Sequence, residues 1–297
     1  MTEQLKLKLN DSKATRWGAL VIVAFTMMAA YYVNDVVAPL KTMLETDLAW
    51  SSTDFGFFTG GYSFLNVFFL MLIWGGLILD RFGIRFTGKL ATILMVGGTA
   101  LEYYAMTGLA GADATLFGIN EIFGYKTGVF VAFAGYSIFG VGAEVAGITV
   151  SKIIAKWFKG KELATAMGVQ VALARIGSQA GYAVAIPLAR AFGISTPVLL
   201  GLVLLLGGMI AFFIFAVMDK KLDKQMEAAA IAAGTEDEAE KFSFKDVKNI
   251  LVNPGFWLIA LLCVLFYSCV FPFQKFASEL MIIKYGINEN VAGTFAG

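Results

Sequence analysis

Two side chains of opposite charge, Glu144 and Arg175, stand inside long apolar stretches of the sequence, 128–151 and 162–189. A charge inside a membrane-length apolar segment is costly to bury and usually serves a function. A guanidinium can hold a carboxylate through two parallel hydrogen bonds, and a carboxylate can accept hydrogen bonds from an ammonium. The pair could therefore hold the two ends of a zwitterion.

The spacing of this pair along the chain places both charges at one depth. Their midpoint falls between Lys159 and Gly160, in the turn that joins the two stretches. In a symmetric hairpin each charge lies roughly 12 helical residues, or about 18 Å, from that turn. This depth is close to the bilayer midplane, where transporter sites lie. The alternative is a structural ion pair that only holds the two helices together.

The composition of the chain is typical of a membrane protein, so these two charges are expected to lie within the membrane. Hydrophobic residues make up 58% of the 297 positions and charged residues 15%, whereas about a quarter of a soluble domain is charged. The sequence has no histidine, so any proton coupling would have to use carboxylates, and neither a metal nor another cofactor is predicted. A net charge of +1 without a basic face argues against nucleic acid as a partner. The two cysteines, Cys263 and Cys269, are interpreted as small buried side chains.

Stretches of about 20 apolar residues are long enough to cross a bilayer. The sequence predicts an all-α membrane protein with six complete stretches, a seventh at 256–280, and an eighth that begins near Val291. The six complete stretches cover 17–38, 54–79, 86–108, 128–151, 162–189 and 196–218.

The connections between these stretches alternate in charge. The N-terminus, 81–89, 152–161 and the segment after 219 are rich in Lys and Arg, whereas the loops in between are acidic or nearly neutral. Because basic loops stay cytoplasmic, the N-terminus is predicted to be cytoplasmic. The default membrane is a bacterial inner (cell) membrane.

The order of the stretches suggests a transporter made of two repeated halves. We predict an N-terminal six-helix bundle at 1–218, a cytoplasmic linker at 219–253 and the first helix and a half of a C-terminal bundle at 254–297. The end of the linker, 241–251, is predicted to form a short helix on the inner membrane face. The chain is expected to be truncated, with about four and a half further helices encoded after it. A seven-helix protein is the alternative.

A glycine-rich segment with charges connects the second and third stretches, at 75–85. It resembles the G-x-L-a-D-r-x-G-r-k signature of the major facilitator superfamily, with Ile84 in place of one basic residue. The resemblance implies the major facilitator fold and a cytoplasmic conformational latch that forms in one state of an alternating-access cycle. The matching residues are Gly76, Leu79, Asp80, Arg81, Gly83 and Arg85.

Each residue type in this segment has a physical role. Gly76 would allow close helix contact, and Gly83 would permit a tight turn. Asp80 stands at a helix C-terminus, where the dipole disfavours an acid, so it needs a partner from elsewhere. Arg81 and Arg85 would anchor in the inner interface. The alternative is a basic loop that contains an incidental acid.

A second set of segments is more specific. Residues 140–144, 157–163 and 174–178 resemble the dipeptide-transporting branch of the superfamily, which includes the animal lysosomal dipeptide uniporter. Further similarity lies at Asp35, at the Tyr62 and Asn66 region, and at residues 270–273. The substrate-binding candidates are Glu144, Arg175, Tyr31, Asp35, Tyr62, Asn66 and Tyr267.

These observations favour a membrane transporter that moves a small solute, most simply a dipeptide or similar zwitterion, by alternating access. One alternative is a transporter of carboxylates or another organic anion, in which Glu144 would act as a proton site. Another is a non-transporting membrane sensor or scaffold. The expected partners are the solute and the lipid bilayer, and no oligomer is implied.

Glu102 is interpreted as an interfacial residue. An enzyme is not predicted, because the sequence offers no nucleophile–base set.

Overall fold

The computed structural model describes residues 8–111, 114–233 and 249–296. Its helices confirm the all-α prediction, and one antiparallel strand pair, β1 (Glu121–Ile122) and β2 (Tyr125–Lys126), joins two of them. Short 3-10 turns lie at Leu9–Asp11 and Ala38–Leu40. The α-helices are α1 (Lys13–Val36), α2 (Lys41–Asp47), α3 (Ser52–Phe68), α4 (Met71–Thr107), α5 (Thr127–Trp157), α6 (Leu163–Phe192), α7 (Thr196–Ala233), α8 (Pro254–Tyr285) and α9 (Glu289–Ala296).

Several of these helices are long and apolar enough to cross a membrane. Within the described part of the chain, four single stretches meet that criterion, and α3 with α4 adds a fifth if this pair, bent by 58°, counts as one span. Helix α6 has the necessary length but is interrupted by polar residues such as Gln170, Arg175 and Gln179. The four stretches are Lys13–Asp47, Thr127–Trp157, Thr196–Ala229 and Pro254–Tyr285.

The predicted second helix is broken in the structure. The helical path stops after Phe68 and resumes at Met71, with Leu70 in the left-handed region at φ 52°. Helix α4 then continues through the predicted third stretch, with a kink at Gly83, where φ is 75° and ψ is 173°. Because glycine adopts such a φ without steric cost, Gly83 is where the chain can change direction between the two predicted helices.

Small residues bring the helices of the bundle together. Helix α4 packs against α5 and α7, α3 against α5, and α1 against α6 and α7. A Cβ at Gly98 would lie 2.5 Å from the Gly135 carbonyl oxygen. A Cβ at Gly177 would overlap the carbonyl of Met28, so α6 lies directly on the backbone of α1. This agrees with the close-packing role expected for small residues in membrane helices.

One end of the bundle carries Arg85, Lys152, Lys156 and Lys161, and we call it the basic end. Here the N-terminal turn is tied to the loop between α5 and α6. Arg16 pairs with Glu162 at 2.9 Å and Lys161 with Asp11 at 2.9 Å. Glu162 accepts from its own backbone N–H and from Arg16, and these bonds lower the pKa of its carboxyl.

The opposite end carries α2 and the strand pair, and we call it the far end. Helices α8 and α9 meet the rest of the chain here. Lys41 pairs with Glu279 at 2.6 Å, and the Tyr182 hydroxyl donates to the Gln274 carbonyl at 3.1 Å. Arg190 of α6 also pairs with Glu289 of α9. The far end therefore joins the two predicted halves.

The N-terminal part of α8 has few packing partners among the described residues. Most of its side chains from Pro254 to Phe273 are exposed, and these include Cys263 and Cys269, which are free thiols. The prediction that both cysteines are buried is wrong, because the surface of α8 that carries them packs against nothing in the described chain.

Helix α7 is longer than the sequence indicated. It runs to Ala233, beyond the end of the predicted apolar stretch at 218, so the charged residues that begin the predicted linker are helical. Most of the short interfacial helix predicted at 241–251 lies outside the described residues.

Candidate functional site

A cavity of about 530 Å³ lies between α1, α3, α5 and α8. Its wall combines apolar residues with a small number of polar and charged groups, as ligand sites usually do. The polar side chains on the wall include Tyr31, Asn34, Tyr62, Tyr136, Glu144 and Lys275. The apolar side chains include Met27, Ala30, Ala143, Phe271, Pro272 and Phe276.

Glu144 is half-buried on the cavity wall and is held by Tyr62. The Tyr62 hydroxyl donates a hydrogen bond of 2.8 Å to one oxygen of the Glu144 carboxylate. Helices α3 and α5 approach closely because residue 140 is glycine: a Cβ there would lie 2.5 Å from the Tyr62 carbonyl oxygen. The hydroxyl fixes the orientation of the carboxylate and leaves its other oxygen for a ligand.

Arg175 is exposed and is not one of the residues that line the cavity, but its guanidinium lies over the ring of Tyr31, which is on the cavity wall. Its guanidinium carbon is 5.7 Å from the ring centroid, which is within the range of a cation–π interaction. Among the described residues no carboxylate comes within 4 Å of it. The direct Glu144–Arg175 pair of the structural alternative is therefore not formed here, and the guanidinium is open to an anion.

Asp35 belongs to a buried polar cluster at one side of the cavity. Its carboxylate accepts a 2.8 Å hydrogen bond from the Asn34 side chain and lies 3.7 Å from the Lys275 ammonium. The same ammonium donates to the Asn34 carbonyl at 2.6 Å and to the Tyr136 hydroxyl at 3.3 Å. Helix α8 is thereby tied to α1 and α5.

Lys275, Asn34 and Tyr136 were not among the predicted site residues. A signal for Lys275 was present, because it is a single lysine within the apolar stretch 256–280 and intramembrane charges are rarely incidental. Asn34 and Tyr136 carried no comparable signal. Their roles depend on which helices meet, and the sequence pattern does not show this.

Four of the predicted binding residues do not line the cavity; these are Arg175, Asp35, Asn66 and Tyr267. The Asn66 amide donates 3.0 Å back to the Tyr62 carbonyl of its own helix, which occupies the side chain locally. Tyr267 is exposed and stacks on Phe271, with ring centroids 4.9 Å apart. Phe271, one helical turn further on, takes the position on the wall that Tyr267 was predicted to occupy.

Glu102 is not the interfacial residue that was predicted. It is fully buried on α4, and neither of its carboxyl oxygens has a hydrogen-bond partner in the described part of the chain. The prediction failed because proximity to a helix end was taken as proximity to water, whereas α5 covers this turn of α4.

The residues of the proposed latch lie at the basic end. Asp80 pairs with Lys152 of α5 at 2.7 Å, and both side chains are about half exposed. The Arg81 guanidinium lies 5.6 Å from the ring centroid of Phe82. A Cβ at Gly76 would meet nothing within 4 Å, whereas one at Gly75 would lie 2.6 Å from a Val145 methyl group. The close contact expected at Gly76 is therefore made by Gly75, since Gly75 is the residue that faces α5.

Arg85 joins a larger charge cluster instead of anchoring in the interface. It pairs with Asp223 at 2.5 Å and with Asp219 at 3.4 Å, both on α7. Asp219 is fully buried and also accepts from Lys156 at 2.7 Å and from the Trp157 indole at 3.0 Å. Asp219 was predicted to lie in the linker. Its buried environment is set by helices distant in sequence, which the local pattern does not show.

Comparison with known proteins is consistent with this arrangement. Residues 20–296 match the Major Facilitator Superfamily. The lysosomal dipeptide transporter MFSD1 of Homo sapiens is 27% identical over 293 residues, which cover 94% of this chain and 57% of that protein. The MFSD1 of Danio rerio is 27% identical over 278 residues, 90% of this chain and 54% of that protein.

A shorter match is more similar. The MFSD1 of Gallus gallus is 33% identical over 171 residues, which cover 53% of this chain and 36% of that protein. The chain spans about half the length of the mammalian and fish relatives that it matches. Because the superfamily match extends over most of the chain, this helical, multi-pass membrane protein belongs to the Major Facilitator Superfamily.

Proposed function

We propose that this protein moves a small zwitterionic solute, with a dipeptide as the leading candidate, across a membrane by alternating access. One observation carries the proposal. The cavity presents an oriented carboxylate, Glu144, and a guanidinium that is free of carboxylate partners among the described residues, Arg175, lies beside it over the ring of Tyr31. An α-amino group and a carboxylate are the complementary groups of a dipeptide.

The geometry supports separate roles for the two ends of the solute. The Glu144 carboxylate, held by Tyr62, would accept from the ammonium. Arg175, supported by the ring of Tyr31, would grip the carboxylate through its planar fork. The relatives named as dipeptide transporters support the same substrate class.

Alternating access would use both ends of the bundle. The ion pairs at the far end would hold that side closed, and the Asp80–Lys152 pair would belong to a latch at the basic end. We infer that the basic end faces the cytoplasm and that 1–218 and 254–297 belong to separate halves. A bacterial inner membrane remains the proposed location, and an enzymatic activity is not proposed because the superfamily consists of transporters.

The substrate class can be tested by thermal-shift measurements of binding to the full-length protein. Arg175→Ala should abolish stabilisation by dipeptides, and Arg175→Lys should restore it only in part, because an ammonium cannot form the planar fork. Glu144→Gln should weaken binding of solutes with a free amine, whereas Glu121→Gln, an exposed control, should not. N-acetylated dipeptides should bind poorly to the wild type.

A transporter of organic anions is the second candidate. It is favoured by the presence of two cations, Arg175 and Lys275, at or beside the cavity. In that case dicarboxylates would stabilise the wild type and dipeptides would not. Arg175→Ala would then be fatal to binding, while Glu144→Gln would alter only its pH dependence.

A further inference from the structure

A buried carboxyl group without a partner lies beside the cavity. Glu102 of α4 is fully buried, and its two oxygens make no hydrogen bond within the described residues. Helix α5 packs directly on it, since a Cβ at Gly135 would lie 2.9 Å from the Glu102 nitrogen. An ionised carboxylate in this position would be an uncompensated buried charge, and proteins avoid this by neutralising the group.

The titratable groups that face Glu102 come from the neighbouring helices. Tyr136 on α5 and the Lys275 ammonium on α8 both interact with it electrostatically. Helix α1 contributes Asp35, which pairs with Lys275, and α3 contributes Tyr62, whose ring lies 5.7 Å from that of Tyr136. The apolar part of α7 that packs on α4 has no titratable side chain.

A count of charges places one proton in this cluster. Lys275 is a single cation, and Asp35 and Glu102 are two acids. Asp35 has both the ion pair with Lys275 and a hydrogen bond from Asn34, so it balances the ammonium as a carboxylate. Glu102 has neither contact. We propose that Glu102 is a proton-binding site, protonated while Lys275 pairs with Asp35, and that the position of α8 controls how many protons the cluster holds.

The connection to transport follows from where the three residues lie, and it rests on the proposed transport function. Lys275 is on α8, whereas Asp35 and Glu102 are on α1 and α4. If α8 withdraws from α1 when the far end opens, Asp35 loses its cation and the cluster takes up one further proton from solvent, at Asp35. By linkage, proton binding then favours the conformation in which Lys275 is withdrawn.

Infrared spectroscopy of the full-length protein tests the site directly, because a protonated carboxyl has a C=O stretching band that a carboxylate lacks. The wild type should show this band at neutral pH, and Glu102→Gln should lose it. Glu102→Asp, which keeps a carboxyl, should shift the band. Glu121→Gln, on the exposed strand β1, should leave it unchanged. A wild type without the band, or a band that survives in Glu102→Gln, overturns the proposal.

Dipeptide uptake into liposomes tests the coupling. A pH gradient should change the uptake rate of the wild type several-fold, and the ratio of rates with and without the gradient should fall to about one in Asp35→Asn, which removes the acid that loses its cation when Lys275 withdraws. A wild type whose uptake ignores the gradient overturns the coupling. If no dipeptide is taken up but the infrared band behaves as expected, the proposed function fails and the proton site stands.

Discussion

At the scale of single residues, the site depends on how side chains are held as much as on their charges. Glu144 is oriented by the hydroxyl of Tyr62, and Arg175 is supported by the ring of Tyr31. Both aromatic residues come from helices other than the one that carries the charge. A charged group that is oriented before binding loses less freedom when the solute arrives.

This makes Tyr62 a residue whose contribution can be measured. Tyr62→Phe removes the hydrogen bond that orients Glu144 and should raise the dipeptide Kd by roughly two- to ten-fold, because the carboxylate must then be ordered on binding at a cost of about 0.5–1.5 kcal/mol. Tyr267→Phe is the matched control, since Tyr267 is exposed and stacks on Phe271 outside the cavity. Equal effects of the two substitutions in isothermal titration calorimetry would contradict the assignment.

At this scale the charged residues of the site were easier to predict from the sequence than the side chains that contact them. Glu144 and Arg175 stood out because each interrupts an apolar stretch, and Lys275 could have been found in the same way. The burial of Glu102 could not be predicted, since a carboxyl near a helix end is solvated or buried depending on which neighbouring helix covers it. The contact between Gly135 of α5 and the Glu102 backbone decides this, and it joins residues distant in sequence.

At the scale of elements, the packing of α4 on α5 positions the cavity wall. Gly98 and Gly135 allow the two backbones to touch, whereas Glu144 lies on another face of α5, where Gly140 and Glu144 meet Tyr62 of α3. The neighbouring Gly97 is exposed, and a Cβ there would meet nothing within 4 Å. The two adjacent glycines therefore lie in the same helix, but only Gly98 contacts α5.

This difference gives a prediction with an internal control. Gly98→Ala inserts a methyl group against the backbone of α5 and should destabilise the protein by roughly 1–3 kcal/mol, the usual cost of overpacking. Gly97→Ala should leave the melting temperature equal or higher, because alanine favours a helix over glycine by up to about 1 kcal/mol. Thermal unfolding in one detergent would measure both. If the Gly98→Ala protein were as stable as the Gly97→Ala protein, α4 and α5 would not be in backbone contact at Gly98.

The sequence predicted the helices of this fold from apolar length alone, but it did not predict their interruptions. The break at Phe69 and Leu70 falls inside a continuous apolar stretch with no proline or polar residue to mark it. The extension of α7 past residue 218 lies in the predicted linker, for which a solvated helix was one expectation and partial disorder the other. Its charged residues resembled a solvated linker, yet Asp219 is buried because Arg85 and Lys156 supply compensating charge.

At the scale of the whole molecule, the two ends of the bundle differ in what joins them. At the far end α8 and α9 are tied to α1, α2 and α6 by ion pairs and hydrogen bonds. At the basic end the described contacts lie among the N-terminal segment and helices α1 to α7, and the beginning of α8 is exposed.

The latch can be separated from stability at this scale. Asp80 and Lys152 are about half exposed, and a pair of this kind contributes about 0–1 kcal/mol. Asp80→Asn should therefore insert into the membrane and melt almost as the wild type does, while transport slows because the outward-facing state loses its latch. Lys152→Gln should have the same two effects. Wild-type transport rates in both variants would count against the latch.

The most direct test of the account is uptake of a labelled dipeptide into liposomes that contain the full-length wild-type protein. We predict saturable uptake that excess unlabelled dipeptide suppresses, and that dipeptides blocked at the amine or at the carboxylate suppress only weakly, because Glu144 and Arg175 each require a free terminus. Uptake of dicarboxylates without uptake of dipeptides, or equal competition by blocked and free dipeptides, would contradict the claim that the cavity recognises a zwitterion.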